Sequence, residues 1–109
     1  MTTTDPILAE TTRRLVEGFD PQRIILFGSR ARGTADDRSD YDLMIICEIS
    51  SGADRMDLSL KMTQSLRGLM IGTDILILTP EEFELSSTIP GDAAYYARDE
   101  GRVLYERAA

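Results

Sequence analysis

Continuous apolar runs at three places along the chain predict buried strands. Residues 23–27 form a short β-branched and aromatic run between Pro21 and Gly28. Residues 41–49 are apolar at nearly every position after the first two, as expected of a central strand covered by helices on at least one face. A third run, residues 73–78, ends at a Thr-Pro pair. We therefore expect three short strands.

Apolar residues at helical spacing, with capping and breaking residues at their ends, predict the helices. The Asp5-Pro6 pair is typical of a helix start, and Thr79-Pro80 followed by two acidic residues is typical of another. Residues 34–39 are expected to form a polar loop, and residues 102–105 a terminal strand or an extended tail. The expected helices are residues 6–17, 29–33, 53–69, 80–85 and 89–99.

Several side chains are assigned to packing alone. Tyr41 would face away from Asp40 and Asp42 in a regular strand, so it is expected to pack against its neighbours. Gaps in the core are expected to be filled by methionines, whose side chains are flexible and apolar: Met56, Met62 and Met70.

Length and composition limit the chain to one domain without a membrane span. With 109 residues it can bury a single core but has no room for a separate substrate domain. No apolar stretch approaches the roughly 18 to 20 residues that a membrane-spanning helix needs. Residues 1–6 lack the basic and apolar regions of a signal peptide. We therefore expect one domain over residues 1–109, located in the cytoplasm.

The residue types that are missing narrow the chemistry. The sequence has no histidine, which removes Ser-His and Cys-His nucleophilic catalysis and the usual zinc sites. The single cysteine, Cys47, lies in an apolar run and is expected to be a buried, inert thiol. Carboxylates remain as metal ligands and bases, and hard cations such as Mg²⁺ suit them.

The chain is strongly acidic. A net charge of −7 argues against nonspecific binding to nucleic acid, because the phosphate backbone attracts basic surfaces. Neutralising three aspartates with metal ions would still leave the chain acidic. A protein partner is therefore more consistent with this composition than direct binding to nucleic acid.

A Gly-Ser pair and an Asp-x-Asp pair frame the segment between the first two predicted strands. Gly28 lets backbone amides come close to a phosphate, and Ser29 adds a hydroxyl donor at the start of a short helix. Arg30 and Arg32 could supply positive charge there, or lie in solvent as ordinary surface residues. The glycine spacing matches neither a P-loop nor a dinucleotide-binding loop.

Asp40 and Asp42 lie two residues apart at the start of the second predicted strand, so their side chains point to the same face. Asp74 opens the third strand and would join them if the two strands are neighbours. Like charges this close are unfavourable unless divalent cations lie between them, as two metal ions do in many phosphoryl and nucleotidyl transfers. Aspartates at strand ends can also simply cap turns. The Gly-Ser pair nearby favours metal binding.

This combination resembles the nucleotidyltransferases related to DNA polymerase beta. The resemblance rests on Gly28-Ser29, ten intervening residues and Asp40-x-Asp42, with Ala31-Arg32-Gly33 and Ser39 inside the segment and Asp74 downstream. Within that superfamily, the short length and the ending at residues 97–106 resemble the minimal nucleotidyltransferases of prokaryotes, among them the MntA-type antitoxins of HEPN/MNT toxin–antitoxin systems. The resemblance covers nearly the whole chain.

The resemblance implies an α/β (α+β) nucleotidyltransferase fold, a small mixed sheet with helices packed on it. It implies a nucleotide site for ATP at Gly28, Ser29, Arg30, Arg32 and Ser39. It also implies that two Mg²⁺ ions are held by the catalytic residues Asp40, Asp42 and Asp74. Asp74 matches the third carboxylate of the family, which also accepts the proton of the attacking hydroxyl while pyrophosphate leaves.

The resemblance also implies a partner. Family members are often encoded with a HEPN-domain ribonuclease toxin and act as its antitoxin, and some transfer AMP from ATP to a toxin tyrosine. We therefore expect a metal-dependent AMP transferase that modifies such a toxin. The alternative is a non-catalytic antitoxin that neutralises the toxin by direct binding. Transfer to a small molecule such as an aminoglycoside is disfavoured, because so short a chain has little room for a second substrate pocket.

Overall fold

Four strands form one mixed sheet in the part of the chain, residues 5–50 and 52–108, that a computed structural model describes. The strands are β1 (Arg23–Phe27), β2 (Tyr41–Ile46), β3 (Thr73–Leu78) and β4 (Arg102–Glu106). Their order across the sheet is β3-β2-β1-β4, with β2 and β3 parallel and the other neighbours antiparallel. The expected small mixed sheet is confirmed.

Five helices accompany the sheet within the described residues: α1 (Pro6–Phe19), α2 (Ser29–Arg32), α3 (Gly52–Ser65), α4 (Pro80–Ser86) and α5 (Ala93–Glu100). Both predicted capped starts are present. The Asp5 side chain accepts hydrogen bonds from the amides of Ile7 and Leu8, and Thr79 forms a capping box with Glu82 at the start of α4. None of these helices is long and apolar enough to cross a membrane.

Helices cover both faces of the sheet, and each face has its own hydrophobic cluster. The alternation along β2 serves both clusters. Leu43 and Ile45 pack with residues of α1 and α3, whereas Met44 and Ile46 pack with residues of α4 and α5. All four side chains are at most 2% exposed. Burying such side chains contributes ~1.5–3 kcal/mol each, so β2 is the central element of the fold.

The strand register brings the predicted site residues to one end of the sheet. Phe27, the last residue of β1, lies opposite Asp42 in β2, and Asp42 lies beside Asp74 in β3. The turn after β1 therefore lies where β2 and β3 begin. Asp42 shares a face with Met44, two residues on, which is the face covered by α4 and α5.

Element boundaries differ from the sequence prediction where pairing or a turn ends an element. β2 stops at Ile46 rather than at residue 49, because its neighbour β3 ends at Leu78. The Cys47 amide donates to the carbonyl of this last β3 residue at 3.0 Å. α3 covers Gly52–Ser65 rather than residues 53–69, and residues 66–68 form a turn.

The later part of the chain shows similar shifts. α5 begins at Ala93 rather than at residue 89, because Pro90 and Gly91 form a turn in which Gly91 has a φ of 98°. α1 continues two residues beyond the expected end, to Phe19. The terminal segment, for which a strand or an extended tail was expected, is the strand β4, which pairs with β1.

The packing predictions are confirmed for three residues, Tyr41, Cys47 and Met62, and wrong for two others. Tyr41 is 5% exposed and packs in one of the two hydrophobic clusters. Cys47 is buried, which raises the pKa of its thiol and suits an inert side chain. Met62 is fully buried as expected. Met56 and Met70 are 77% and 95% exposed and fill no gap in the core. Met70 lies in the connection between α3 and β3 with a positive φ of 60°, so no helix face directs it inward.

Candidate active site

The turn after β1 presses its backbone against the side chain of Asp42. Gly28 has φ 74° and ψ −156°, a combination that residues with side chains rarely adopt. A Cβ at this position would also collide with Asp42 Oδ2. Glycine is therefore required here twice, once for its backbone conformation and once for space. The Asp42 carboxylate lies directly against the turn at which a phosphate group was expected to bind.

A second glycine performs the same steric role for Asp40. A Cβ at Gly72 would collide with Asp40 Oδ1, and the Gly72 carbonyl accepts a hydrogen bond from the Tyr41 amide at 2.9 Å. The start of β3 can therefore approach the residue that precedes β2. This role of Gly72 was not predicted from the sequence. The available signal was a glycine two residues before Asp74, at the entry to a strand.

Asp40, Asp42 and Asp74 concentrate negative charge at this end of the sheet. Burial raises the pKa of the Asp42 carboxyl, and the charges of Asp74 and Asp40 raise it further, while Arg32 acts in the opposite direction. Asp42 is half-buried, whereas Asp40 and Asp74 are exposed. A cation at this position would relieve the repulsion, and carboxylate oxygens are the ligands that Mg²⁺ prefers.

The carboxylates do not form a complete metal site by themselves. Within residues 5–50 and 52–108, no group of three or more His, Cys, Asp or Glu side chains is arranged to hold an ion. Mg²⁺ in nucleotide enzymes is usually bound by one or two carboxylates together with substrate phosphates and water, not by an all-protein cage. The donor set and its unrelieved charge therefore fit an ion that binds together with a nucleotide.

Ser29 places phosphate-binding groups beside these carboxylates. It begins α2 directly after Gly28, and the amides of Ala31 and Arg32 each donate to the Gly28 carbonyl at 3.1 Å. The amides of Ser29 and Arg30 lie before the first hydrogen-bonded amides of the helix, so the helix itself offers them no carbonyl acceptor. In the part of the chain that the structure describes, the Ser29 hydroxyl has no hydrogen-bond partner. These groups can donate to an anion at the turn.

The two arginines of α2 have different surroundings. Arg32 is close enough to Asp42 to oppose the rise in the pKa of the Asp42 carboxyl. The Nη1 atom of Arg32 lies 3.3 Å from Glu100 Oε1 of α5. Arg30 instead donates to the backbone carbonyls of Asp36 and Ser39. Arg32 is therefore the arginine that remains beside the carboxylates.

The predicted site residues thus fall into two groups. The first lies around the carboxylates: Gly28, Ser29, Arg32, Asp40, Asp42 and Asp74. The second, Arg30 and Ser39, is engaged in the loop, where the Ser39 hydroxyl bonds only to Asp36 among the described residues. Glu100 was not predicted, because it is 68 residues from Arg32 in sequence and carries no local signal.

Comparisons with known proteins identify the family and support the fold. The family model described as polymerase beta nucleotidyltransferase matches residues 10–109. A proposed nucleotidyltransferase from Sulfolobus solfataricus is 20% identical with a TM-score of 0.63, over 93% of this chain and 78% of that one. No curated protein sequence gives a significant match.

Two further structural neighbours are toxin–antitoxin complexes. One, crystallised with AMP-PNP, is 19% identical with a TM-score of 0.58, over 92% of this chain and 73% of that one. The other is a tri-AMPylated Shewanella oneidensis HEPN toxin with its MNT antitoxin, at 16% identity and a TM-score of 0.52, over 93% and 71%. At these identities the neighbours support the fold.

Proposed function

The chain belongs to the polymerase beta nucleotidyltransferase family, and on this premise we propose that it is an antitoxin that transfers AMP from ATP to a tyrosine hydroxyl of a HEPN-domain ribonuclease toxin. The observation that carries the proposal is the contact between the Gly28 turn and Asp42, with Asp74 on the neighbouring strand. This contact supports the proposal because groups that could donate hydrogen bonds to a phosphate lie beside carboxylates that could bind a metal ion.

The residues of the site have separate roles in this reaction. The backbone at Gly28 and the Ser29 hydroxyl bind the triphosphate, and Arg32 supplies positive charge. Asp40 and Asp42 would hold Mg²⁺ with the help of Asp74, and the ions would neutralise the charge of the carboxylates and phosphates.

The acceptor side of the reaction depends on Asp74. The attacking hydroxyl oxygen bonds to the α-phosphorus, the bond from that phosphorus to the bridging oxygen breaks, and pyrophosphate leaves. Asp74 accepts the hydroxyl proton. It is exposed and lies on β3, an edge strand of the sheet, so a protein acceptor can reach it without entering a closed pocket.

Two observations support a protein acceptor. The chain carries a net charge of −7, which suits association with a basic protein better than with nucleic acid. The structural neighbours include an MNT antitoxin in complex with an AMPylated HEPN toxin.

The test combines the purified chain, the toxin encoded beside it, ATP and Mg²⁺, followed by intact-mass measurement. We expect the toxin to gain one or more AMP units. The gain should be lost in Asp40→Asn and Asp42→Asn and kept in Asp37→Asn, a matched change at an exposed loop aspartate. An unmodified toxin with the wild-type chain would show that the transfer proposal is wrong.

A non-catalytic antitoxin is the second candidate. It is favoured by the structural neighbours that are complexes of an antitoxin with its toxin, since such association by itself could neutralise a toxin. In this case the Asp40→Asn, Asp42→Asn double variant would suppress the toxin as well as the wild-type chain does, with no change in mass. Suppression that requires both aspartates and ATP would exclude it.

A further inference from the structure

The Arg30 side chain forms a clamp over the loop that leads to Asp40. Its Nε and Nη2 donate to the Ser39 carbonyl at 3.0 and 2.9 Å, and Nη2 also donates to the Asp36 carbonyl at 3.2 Å. Its Cζ lies 3.9 Å from the centre of the Tyr41 ring, within the range of a cation–π interaction. One planar guanidinium thus links helix α2, the loop and the first residue of β2.

The loop has little other support. The remaining hydrogen bonds of residues 36–39 are local, between Asp36 and Arg38 or Ser39. In the described part of the chain, the hydrogen bonds that tie these four residues to the rest of the protein all come from Arg30.

Two cavities adjoin the stack of Arg30 on Tyr41. One, of about 240 Å³, is lined by Asp5, Leu8 and Arg102 among others. The other, of about 260 Å³, is lined by Ser39 and Gly72 among others. Arg30 and Tyr41 line both cavities. Packing therefore does not replace the guanidinium as a support for the loop.

We propose that Arg30 is a positioning residue for Asp40 and not a ligand of the triphosphate. Asp40 lies between two fixed points, the Ser39 carbonyl held by Arg30 and the Gly72 backbone against its carboxylate. The inference rests on the proposed function for the role of Asp40, but the clamp itself is independent of it. It assigns phosphate contact in α2 to Arg32.

The first test measures hydrogen exchange of the backbone amides in residues 34–40, without nucleotide or metal. Lysine keeps the charge of Arg30 but lacks the planar fork that bonds two carbonyls at once. In Arg30→Lys we expect at least about tenfold faster exchange there, as for the loss of a charge-assisted hydrogen bond. Exchange in β1 and β2 should stay unchanged, which shows that the variant is folded.

Arg32→Lys is the matched control, because it changes the same helix and leaves the loop bonds intact. Its loop should exchange at the wild-type rate. Equal loop exchange in Arg30→Lys and in the wild-type chain would overturn the clamp. This result needs no catalysis, so it stands apart from failure of the proposed function.

The second test separates positioning from phosphate binding. The affinity for AMP-PNP without a divalent cation should be unchanged in Arg30→Lys and reduced in Arg32→Lys. The kcat for AMP transfer should fall by about 10²-fold in Arg30→Lys with little change in the KM for ATP, as expected of a displaced catalytic group. Weaker AMP-PNP binding in Arg30→Lys, with normal loop exchange, would make Arg30 a phosphate ligand and overturn the proposal.

Discussion

Gly72 and Gly28 control where two of the carboxylates can lie. At each position a Cβ would collide with a carboxylate oxygen, of Asp40 in the first case and of Asp42 in the second. Only Gly28 also needs its positive φ, so a substitution there changes backbone and contact together. Gly72 has no such restriction. It therefore offers the cleaner test of how far the site depends on the position of Asp40.

We predict that Gly72→Ala retains the fold and loses most of the transfer activity. The new methyl group must displace the Asp40 carboxylate, and a displacement of about 1 Å can cost about 10²-fold in rate. Gly18→Ala is the control, because nothing lies within 4 Å of a Cβ at that helical position. Rates come from the mass assay and stability from urea unfolding. Wild-type activity in Gly72→Ala would contradict the steric argument.

The burial of Asp42 and its repulsion by the neighbouring aspartates predict that removing its charge stabilises the protein without metal. The pKa of Asp42 is raised by burial and by Asp74 and Asp40, so its ionised form opposes folding at neutral pH. Asp42→Asn should raise the free energy of unfolding at pH 7 by about 0.5–2 kcal/mol.

The pH dependence provides the check on this prediction. As the pH falls through the raised pKa toward 3.8, Asp42 becomes neutral in the wild-type protein as well, and the advantage of the variant should vanish. Urea unfolding in EDTA at several pH values measures this difference. Asp37→Asn, in the exposed loop, should show no such gain. A less stable Asp42→Asn at pH 7 would mean that the carboxylate makes a favourable contact.

At the level of elements, Arg55 connects α3, β3 and α4. It forms a bidentate pair with Glu82 at 2.9 and 2.8 Å, and its Nη1 also donates to the Ile77 carbonyl at 2.8 Å. The carbonyls of Gly72 and Leu78 accept hydrogen bonds from the amides of Tyr41 and Cys47, on the side of β2. Successive carbonyls of a strand point in opposite directions, so the Ile77 carbonyl faces the outer edge of the sheet. Arg55 thereby covers part of an exposed edge strand.

We predict that Glu82→Gln lowers stability at neutral pH and that the loss shrinks in acid. Glutamine can keep the capping bond to the Thr79 amide but loses the ion pair with Arg55. Because these side chains are 41% and 33% exposed, we expect a loss of about 0.5–1 kcal/mol.

The acid limit follows from the pKa of Glu82. The hydrogen bond from Arg55, and to a smaller extent the one from the Thr79 amide, lowers the pKa of the Glu82 carboxyl from 4.5 to about 2. The pair therefore stabilises the fold fully above pH 4.5, and this contribution is lost as the pH falls toward about 2. Urea unfolding at pH 7 and pH 3 measures it, with Glu81→Gln as the control. A difference that does not shrink in acid would contradict the ion-pair explanation.

Elements with local signals could be predicted from the sequence, and those that end through tertiary contacts could not. The start of α4 was correct because Thr79, Pro80 and Glu82 specify it within four residues. The end of β2 was not, because the apolar pattern continues past Ile46 while the pairing with β3 stops. The exposure of Met56 likewise depends on which face of α3 meets α1 and the sheet.

At the scale of the whole molecule, the sheet order decides how much of the site is visible in the sequence. Gly28-Ser29 and Asp40-x-Asp42 are one connected segment, and their spacing was sufficient to predict a phosphate and metal site. The contact of Gly72 with Asp40 exists only because β3 lies beside β2. Side-chain directions also matter, because Arg30 and Arg32 cannot be told apart from the sequence although their surroundings differ.

The same sheet order places the carboxylates outside both hydrophobic clusters, at an open end of the molecule. The Asp40 and Asp74 side chains are exposed, and the two clusters that stabilise the fold contain no aspartate. Under the proposed function, a metal ion here would bind together with the nucleotide and would not be a structural element. Structural zinc sites behave in the opposite way, because their domains unfold when the metal is removed.

We therefore predict that EDTA abolishes transfer without lowering the thermal unfolding temperature. Mg²⁺ with a nonhydrolysable ATP analogue should raise that temperature, because a ligand that binds only the folded state at 100 times its Kd stabilises it by about 2.7 kcal/mol. The rise should be absent in the Asp40→Asn, Asp42→Asn double variant, which lacks the ligands for the ion. Differential scanning calorimetry measures both effects on the same samples. A fall in unfolding temperature with EDTA alone would place the metal among the structural elements, since only an ion bound to the free protein can stabilise it in the absence of nucleotide.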